Sequence, residues 1–599
     1  MKIAWASFSI FVCVTQIAGA TTRYVDASPH TPISPYTSWT TAATNIQDAI
    51  SAASFADTIL VNDGVYKYGT IINVSGNTRV FTMNKHLTMQ SVNGPEVTII
   101  QGSTNALTSV VRCVFLTDGS VLSGFTLTNG VTDLGGGGVY CDKPSCIVTN
   151  CIIVGNYGRN INNGGGARGG ILLNCLLTNN AADLDGGGAY SNTLINCTLV
   201  SNRADNGGGA YACVLTNCLL VANTATYLGG GGAAWSALEN CTVSNNATTG
   251  NGGGLYICSA SDSLISSNRS GSAGRGGGAY LTDSTTVLNR CVLQNNYSPS
   301  DGGGACGNTY APGGLLTNCI IVGNTTGSSA QGGGAANVVL NNCLVTGNSA
   351  RYGAGVASSL GNNCTVVGNL AIGTGYGAGA YSATLNNSII YFNQAITNAD
   401  LFNCALTNCC TPSLAYPAIV NSFTNDPLFN DPNGDFHLQW NSPCINAGNN
   451  SFATFTNDLD GNPRTVGGTV DVGAYEFQWP ASLISYAWLQ QYNLPADGSD
   501  DFSDDDGDGI NTWQEWIAGT DPTDATSLLQ MDSALRTNNA SATISWQSVA
   551  GKNYFIQRSA DLSAFVTIQT NITGQASTTS YTDGTATNAT RFFYRVGVQ

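Results

Sequence analysis

The sequence predicts an all-β protein whose main part is a parallel β-helix, a solenoid of stacked coils, followed by a calcium-loop linker and a small C-terminal β-sandwich. A unit of 21 to 28 residues repeats between about residues 125 and 395. The chain has 73 glycines among 599 residues, yet only 9% of its residues are charged, against roughly 25% in typical domains. With 42% hydrophobic residues, this composition favours a packed, repeated architecture over disorder.

Each repeat has a ladder position that holds Cys or Ser, an aliphatic residue two places later and an Asn five places later. The ladder positions are Cys151, Cys175, Cys197, Cys218, Cys241, Ser263, Cys291, Cys319, Cys343, Cys364 and Ser388. The Asn positions are Asn156, Asn180, Asn202, Asn223, Asn246, Asn268, Asn296, Asn324, Asn348, Asn369 and Asn393. Because alternate strand residues share a face, the ladder residue and the aliphatic residue point inward together. Pairing each strand with its equivalent one turn later gives a parallel β-helix.

The Asn and Gly residues of the repeat predict how each coil turns. Asn tolerates the left-handed backbone of a corner and can bond to neighbouring backbone groups, so stacked Asn should form a hydrogen-bonded ladder. Runs of Gly-Gly-Gly-Ala permit tight corners or close contact between strands that a Cβ atom would prevent. Eleven coils at ~4.8 Å each give a rod on the order of 50 Å long.

The repeats resemble two known groups of β-helix proteins. The coil is similar to those of right-handed, pectin-lyase-type β-helices. Asn202-Arg203-Ala204 followed by Gly207-Gly208-Gly209-Ala210 resembles the repeats of polymorphic outer membrane proteins, although those families place Phe where this chain has Cys. The resemblance implies a right-handed coil and an extracellular, bacterial protein.

The N-terminus and the net charge bear on location and partners. Residues 1–20 are expected to be a secretory signal, with Lys2, an apolar stretch from Ile3 to Val14, and Ala18-Gly19-Ala20 as cleavage site. The alternative is an N-terminal membrane anchor. After cleavage we expect a secreted or cell-surface protein with no integral membrane segment. The net charge of −16 argues against a nucleic-acid partner, which requires a basic surface.

The cysteines have two alternative interpretations. Stacked ladder cysteines would lie ~4.8 Å apart with parallel Cβ vectors, which suits a disulfide poorly, so we favour buried free thiols. Off the ladder, Cys141 with Cys146, Cys213 and Cys306 with their neighbours, and Cys404, Cys409 and Cys410 are candidates for bridges. The sequence contains no Cys-x-x-Cys pair, which makes a tetrathiolate metal site improbable.

The ends of the β-helix differ from its repeats in composition. Residues 21–110 resemble an N-terminal cap with the first coils, in which a helix near Ile46 to Ala52 covers the open edge. The repeat coils occupy residues 111–412. Residues 413–478 resemble the choice-of-anchor module of bacterial secreted β-helix proteins. Within it Asp458, Asp460 and Glu476 could bind a cation, although turn and cap roles are the favoured interpretation.

Residues 479–530 contain an acidic loop with the spacing of a calcium site. Acids stand at positions 1, 3, 5 and 12 of the stretch 504–515, with glycine at position 6, the spacing of an EF-hand-type loop. The expected Ca²⁺ ligands are Asp504, Asp506, Asp508, the Ile510 carbonyl, Thr512 (directly or through water) and Glu515. Gly519-Thr520-Asp521-Pro522 follows, as in the thrombospondin-type-3-like repeats that this segment resembles. The alternative is an acidic solvated linker.

Residues 531–599 read as short alternating strands separated by turns, which predicts a small β-sandwich. Trp546 and Tyr594 fit a core similar to that of fibronectin type III domains. Core packing is favoured over a carbohydrate-binding role for these aromatic residues.

Catalytic residues are scarce in the coils. A polysaccharide lyase needs a basic residue with acids or calcium, and a glycoside hydrolase needs paired carboxylates. The best candidate cluster is Asp183, Asp185 and Asp205, with Arg203 and Arg275 a few coils away; loop and corner roles are favoured. We therefore expect a structural, adhesive or glycan-binding protein with an extracellular glycan as partner. A polysaccharide lyase or glycoside hydrolase is the alternative.

Overall fold

The structure, a computed structural model, covers most of the chain. It describes residues 20–67, 71–72, 78–102, 110–117, 119–160, 163–308, 312–397, 399–415, 418–439, 442–445, 447–466, 470–478, 492–495, 498–538, 541–550, 552–586 and 591–598. The expected signal sequence, except residue 20, and residues 479–491 lie outside this range.

A parallel β-helix forms the greater part of the described chain, as predicted. Each full coil passes through sheet 1, sheet 2, a short sheet 4 and sheet 3 in chain order. Strands pair in parallel with their equivalents in the next coil, except that Ile71–Ile72 pairs antiparallel with Thr78–Met83. Leu199, for example, lies opposite Leu177 and Leu220. The ladder residue stands between sheets 1 and 2, and the Asn follows sheet 2.

The strands of sheet 1 are Thr22–Val25, Thr58–Val61, Thr88–Ser91, Val121–Ser123, Ile147–Thr149, Ile171–Leu173, Thr193–Ile195, Val214–Thr216, Ala237–Glu239, Ser259–Ser261, Val287–Asn289, Leu315–Thr317, Val339–Asn341, Leu360–Asn362, Thr384–Asn386, Ala405–Thr407 and Ile419–Val420. Those of sheet 2 are Gly64–Tyr66, Thr98–Gln101, Thr126–Thr128, Ile152–Val154, Leu176–Thr178, Thr198–Val200, Leu219–Val221, Thr242–Ser244, Leu264–Ser266, Val292–Gln294, Ile320–Val322, Leu344–Thr346, Thr365–Val367 and Ile389–Tyr391.

The strands of sheet 3 are Ile71–Ile72, Thr78–Met83, Val111–Leu116, Val139–Cys141, Ala167–Arg168, Ala189–Tyr190, Ala210–Tyr211, Ala233–Ala234, Leu255–Tyr256, Ala279–Tyr280, Ala305–Cys306, Ala335–Ala336, Val356–Ala357, Ala380–Tyr381 and Leu401–Phe402. Sheet 4 has two parts: Val131–Thr132, Tyr157–Gly158, Ala181–Ala182, Arg203–Asn206, Thr224–Gly229 and Ala247–Thr248, then Tyr297–Ser298, Thr325–Thr326, Ser349–Tyr352 and Leu370–Tyr376.

The interior of the rod follows the predicted alternation. Cys197 and Leu199 are both buried, as are their equivalents in other coils. All nineteen described cysteines are buried free thiols, including the off-ladder candidates for bridges. Cys213 and Cys258 form a second stack, with Ser236 between them, at the corner where sheet 3 turns into sheet 1.

The Asn ladder forms, but the Asn residues do not adopt the left-handed backbone that the sequence analysis assigned to them. The residue before each ladder Asn takes the positive φ; in two coils it is Ser201 and Ala222. The Asn itself points inward, where Asn202 Nδ2 donates to Asn223 Oδ1 at 3.0 Å and to the Leu177 carbonyl at 2.9 Å. The corner thus separates two tasks: one residue reverses the chain and the next bonds to the neighbouring coil.

The glycine triplets serve both predicted purposes. Gly207 has a φ of +58°, which favours glycine, and a Cβ atom on Gly208 would lie 2.4 Å from the Thr224 carbonyl oxygen. Coils therefore stack closely at this corner because no side chain separates them.

The N-terminal edge is covered by helix α1 (Ile46–Ala52), as expected. Asn45 caps the helix by accepting from the Asp48 N–H at 2.9 Å. Ile46 and Ile50 are buried in the same core as the first strands. A short 3-10 helix, Trp39–Thr41, precedes α1.

The cap module (residues 413–478) closes the other end and folds back along the coils. It contains the hairpin Phe429–Asp431 with Asp435–Leu438 and the 3-10 helix Asn450–Phe452. Its aromatic residues pack on the outer face of sheet 2 at Leu344, Val367 and Ile389. The Nδ2 atoms of Asn342, Asn363 and Asn387 each donate to a carbonyl of the module at 2.9 Å.

The C-terminal region comprises helix α2 (Thr512–Ala518) and two three-stranded antiparallel sheets. One sheet holds Met531–Asn538, Ser541–Ser548 and Ser577–Asp583, and the other Asn553–Ser559, Val566–Thr573 and Phe593–Val598. Trp546 is fully buried between them and Tyr594 packs at the margin. Within the described residues no helix has the length and apolar character required to cross a membrane.

Candidate functional site

The outer face of sheet 3 carries a row of aromatic side chains. In each two-residue strand the first residue points inward, and the second, as in Ala189–Tyr190, points outward. We call the outward aromatic residues the aromatic row: Phe115, Tyr140, Tyr190, Tyr211, Tyr256, Tyr280, Tyr381 and Phe402. Four neighbouring pairs stack with ring centroids 5.3–5.7 Å apart and planes within 8° of parallel. Because stacked neighbours cover the ring faces, the ring edges border the solvent.

Two arginines extend the aromatic row at its N-terminal end. Arg168 occupies the outward position between Tyr140 and Tyr190, with its guanidinium carbon 5.3 and 5.5 Å from the two ring centroids. Arg112 lies over the other side of Tyr140 at 5.1 Å and is 2% exposed. Its guanidinium donates to the Gly136 carbonyl at 2.8 Å. Arg168 and the ring edges border the solvent, whereas Arg112 is buried. The row is interrupted by Ala234, between Tyr211 and Tyr256, and by Cys306, Ala336 and Ala357, between Tyr280 and Tyr381.

Arg168 lies between two surface clefts. One, of about 250 Å³, is bordered by Arg112, Tyr140 and Arg168. The other, of about 270 Å³, is bordered by Lys143, Arg168 and Tyr190. Lys143 pairs with Asp142 at 3.6 Å. Positive charge is thus concentrated here in a chain whose net charge is −16.

The predicted acidic cluster lies beside the aromatic row: Asp183 and Asp185 follow the sheet 4 strand Ala181–Ala182, and Asp205 lies in the next strand, Arg203–Asn206. Asp183 is exposed and accepts from the Tyr157 hydroxyl at 2.5 Å. Asp205 accepts from the Thr226 hydroxyl at 2.8 Å. Asp185 is 8% exposed and accepts from Asn206 Nδ2 at 2.8 Å. Each carboxylate therefore has a partner within the rod.

Asp185 differs from the other two in its electrostatics. Burial raises its pKa above the usual value for Asp, and the charge of Asp205 adds to that shift. Burial, together with the nearby Asp185, raises the pKa of Tyr211 to about 12. Asp185 is therefore close to the aromatic row and has a stronger tendency than an exposed Asp to hold a proton. Arg203 is exposed, and Arg275 lies 3.8 Å from Asp301.

The sequence analysis did not single out the aromatic row or Arg168. A signal was present, since a Tyr follows the Gly-Gly-Gly-Ala run at positions 190, 211 and 280. The stacked Tyr pairs, Tyr190 with Tyr211 and Tyr256 with Tyr280, are 21 and 24 residues apart in sequence, so only the strand register shows that they stack.

The acidic loop at residues 504–508 gathers three carboxylates. One oxygen each from Asp504, Asp506 and Asp508 lies within 4.8 Å of the other two. Asp504 accepts from the N–H groups of Gly507 and Gly509 at 2.8 and 2.9 Å, which closes the loop. The two glycines take φ values of +79° and +92°.

Glu515 approaches from α2, whose N-terminus is fixed by a capping box between Asn511 and Gln514. Glu515 is 1% exposed. Burial, followed by the charges of Asp506 and Asp508, raises its pKa to about 8. Three oxygens are buried with no hydrogen-bond partner among the described residues: Asp506 Oδ2, Asp508 Oδ2 and Glu515 Oε1.

These unpaired oxygens fit a hard divalent cation, because buried carboxylates without partners are costly unless a cation compensates them. The two remaining predicted ligands are the Ile510 carbonyl and Thr512. The Ile510 N–H donates to Asp508 Oδ1 at 2.7 Å, which holds the Ile510 backbone against the loop. The Thr512 hydroxyl donates to the Ser503 carbonyl at 3.2 Å and retains lone pairs to accept.

The acids of the cap module are already bonded within it. Asp458 accepts from the Asn462 and Glu476 N–H groups at 2.8 and 3.0 Å. Glu476 accepts from the Val466 N–H at 3.0 Å and lies 3.7 Å from Arg464. Asp460 lies 2.6 Å from His437 Nε2. These contacts are turn and cap interactions.

Comparison with known proteins gives only distant structural likeness. No protein-family model and no curated protein matches the chain. Among solved structures, the pectate lyase Pel9A is 16% identical, with 77% of this chain and 97% of that chain covered and a TM-score of 0.25. The A-module of the Azotobacter vinelandii mannuronan C-5 epimerase AlgE6 is 14% identical, with 64% of this chain and 96% of that chain covered and a TM-score of 0.27.

A tailspike protein mutant of E. coli bacteriophage HK620, in complex with a pentasaccharide, is 13% identical over 61% of this chain and 72% of that chain, with a TM-score of 0.25. The fold of this chain is established by its own strand register, and likeness at this level carries no argument about its function.

Proposed function

We propose that the chain is a secreted or cell-surface rod that binds an extracellular glycan along sheet 3, in a structural or adhesive role. The observation that supports this is the unbroken run of outward side chains Phe115, Tyr140, Arg168, Tyr190 and Tyr211, with Arg168 between two clefts. Tyrosine edges offer both apolar carbon and hydroxyl groups, and a guanidinium offers planar donors. Sugars present the complementary mixture of C–H groups and hydroxyls. A surface repeated at the coil spacing suits a polymer.

Binding is tested by titrating the purified full-length chain with neutral and acidic oligosaccharides in a calorimeter. We expect one or more of these to bind, and Arg168→Ala or Tyr190→Ala to weaken binding at least tenfold. Tyr227→Ala is the matched control, because Tyr227 is 67% exposed on sheet 4 and lies outside the aromatic row. Absence of binding, or equal loss in all three variants, would refute the proposal.

A polysaccharide lyase or glycoside hydrolase is the second candidate function. Asp185 favours it, because a buried carboxyl with a raised pKa beside a binding face is suited to donate a proton. Incubating the same glycans with the protein, and analysing the products by mass spectrometry, separates the two functions. Turnover that disappears in Asp185→Asn, with binding retained, would replace the adhesive role by an enzymatic one.

The second part of the proposal is that the acidic loop binds Ca²⁺ through Asp504, Asp506, Asp508, the Ile510 carbonyl, Thr512 and Glu515. The bound ion would supply positive charge to the oxygens that lack partners. The loop would then stiffen the connection to the C-terminal sheets, which α2 contacts through a 2.8 Å bond from Lys552 Nζ to the Ile517 carbonyl.

Calcium binding is tested with Tb³⁺ luminescence sensitised by Trp513 and competed with Ca²⁺. We expect Glu515→Gln to weaken binding at least tenfold. Asp561→Asn should leave it unchanged, because Asp561 is exposed and lies in a turn of the C-terminal sheets, outside the loop. A chelator that leaves the melting of the C-terminal region unchanged would contradict the stiffening role.

A further inference from the structure

Cys410 differs from the ladder cysteines in the direction of its side chain. Its neighbour Cys409 points into the rod, where its thiol donates to the Leu385 carbonyl at 3.2 Å. Cys410 pairs in register with Ile389, whose side chain belongs to the outer face of sheet 2 that the cap module covers. Because consecutive residues of an extended strand alternate in direction, Cys410 faces outward, into the module.

Cys444 meets Cys410 from the opposite side of this interface. The Val472 N–H donates to the Cys444 carbonyl at 2.9 Å, and the Ser442 hydroxyl accepts from the Cys444 N–H at 3.1 Å. Both cysteines are fully buried in one apolar cluster with Phe429. The Cys410 thiol donates to the Asn425 carbonyl at 3.2 Å. Gly473, next to Val472, packs against Ile389, the register partner of Cys410, which places both thiols in the same part of the interface.

The two sides of this pair belong to different parts of the fold. Ladder cysteines stack on the same edge of successive coils with parallel side chains; the N–H of Cys197, for example, lies 3.4 Å from the sulfur of Cys218. Parallel Cβ vectors do not suit the near-perpendicular dihedral of a disulfide, whereas residues that face each other across an interface do. The last coil and the cap module are therefore positioned for a crosslink that the ladder disfavours.

We propose that Cys410 and Cys444 form a disulfide under oxidising conditions, which ties the cap module covalently to the last coil. One thiolate attacks the disulfide of an oxidant such as glutathione disulfide and releases one thiol. The second thiolate then displaces the other half of the oxidant. The two cysteines lose two protons and two electrons, and the oxidant is reduced to two thiols.

Burial determines when this bond forms. Both side chains are inaccessible once the module has docked, so oxidation takes place during folding, before the interface closes. After docking, the same burial protects the disulfide from small reductants. The bond closes a loop of 34 residues and prevents the module from separating from the rod.

The test uses the full-length chain, unfolded and refolded with either glutathione disulfide or a reductant. Free thiols are then alkylated in denaturant, and peptides are identified by mass spectrometry. We expect a Cys410–Cys444 crosslinked peptide only after oxidative refolding. It should persist in the control Cys409→Ser and be absent in Cys444→Ser.

A second measurement is independent of whether these variants fold. In the oxidised wild-type protein, the disulfide should resist millimolar reductant until denaturant is added, and thermal unfolding should occur at a higher temperature than in the reduced protein. Recovery of both cysteines as alkylated thiols after oxidative refolding, or of Cys410 paired with another cysteine, would overturn the proposal.

Discussion

Replacing one Asn of the buried ladder tests how the coils are held together. Asn223 is fully buried in the middle of the rod. Its Oδ1 accepts from the N–H and the Nδ2 of Asn202 at 2.9 and 3.0 Å. Its Nδ2 donates to the Leu199 carbonyl at 2.9 Å and to Asn246 Oδ1 at 3.0 Å. Asn223→Ala removes all four hydrogen bonds and leaves the chain direction at the corner unchanged.

The expected loss in the free energy of unfolding follows from the groups that lose a hydrogen-bond partner. The Asn202 N–H and the Leu199 carbonyl are both inside the rod, and each loses a hydrogen bond in the variant. The Leu199 carbonyl belongs to a strand paired with the next coil and keeps that ladder bond, so the Asn202 N–H is the group left unsatisfied, which costs about 1–3 kcal/mol. The matched control is Asn217→Gly, because Asn217 is exposed with a φ of 54°, a conformation that glycine adopts freely.

Urea unfolding followed by far-ultraviolet circular dichroism measures the free energy of unfolding of wild type and both variants. We expect the Asn217 variant to lie within about 0.5 kcal/mol of wild type, as surface substitutions usually do. Hydrogen exchange at the peptide that contains Asn202 should accelerate in the Asn223 variant alone. A loss below about 1 kcal/mol for Asn223→Ala, or equal losses in both variants, would show that the ladder amides do not hold the coils together as we reason.

Three further predictions concern charge and packing. Because Glu515 has a pKa of about 8 when folded, against 4.5 in its ordinary state, the calcium-free C-terminal region should lose stability as pH rises from 4.5 to 8. Calcium should remove this dependence in thermal melts. Hydrogen bonding to Asp460 and Asp435 raises the pKa of His437 from 6.5 to about 9. Its contribution to the cap module should therefore be complete below pH 6.5, fade as pH rises through 9, and be absent in His437→Gln when proteolysis is followed against pH. Gly208→Ala should lower the unfolding free energy by about 1–3 kcal/mol, whereas Gly434→Ala, where the nearest atom is 4.0 Å away, should have little effect in the same urea assay.

Much of the solenoid could be predicted because its information is local and repeated. The fixed offset of two residues places the Cys and aliphatic side chains on the inward side, and the structure confirms this for Cys197 and Leu199. The Asn three residues further on forms the predicted hydrogen-bonded ladder. The cap helix at Ile46–Ala52 was predicted for the same reason, since its apolar spacing lies within seven residues. The prediction that the ladder Asn adopts the left-handed backbone was wrong, because the residue before it does. The offset alone does not distinguish the residue that reverses the chain from the one that bonds to the neighbouring coil.

The proposed binding surfaces could be predicted only in part. The acidic loop was found because its carboxylates lie within twelve residues of one another, although the burial of Glu515 was not evident. The aromatic row and Arg168 were missed, because each member belongs to a different coil. The acids Asp183, Asp185 and Asp205 were found together, but only the structure shows that Asp185 is buried while Asp183 is exposed.

The sequence by itself determined the period, the inward face of each strand and the spacing of the acidic loop, because these depend on neighbours a few residues apart. The tertiary structure alone decided which outer surfaces are covered. Arg464 reaches Asn363 across 101 residues, and the cap module folds back over sheet 2 and leaves sheet 3 open. A repeat pattern presents the same outer positions in every coil, so nothing local tells which of them another segment will bury. Which face is covered depends on where the chain turns after its last coil. The long-range contacts that fix this turn do not repeat along the sequence, so the repeat pattern does not predict them.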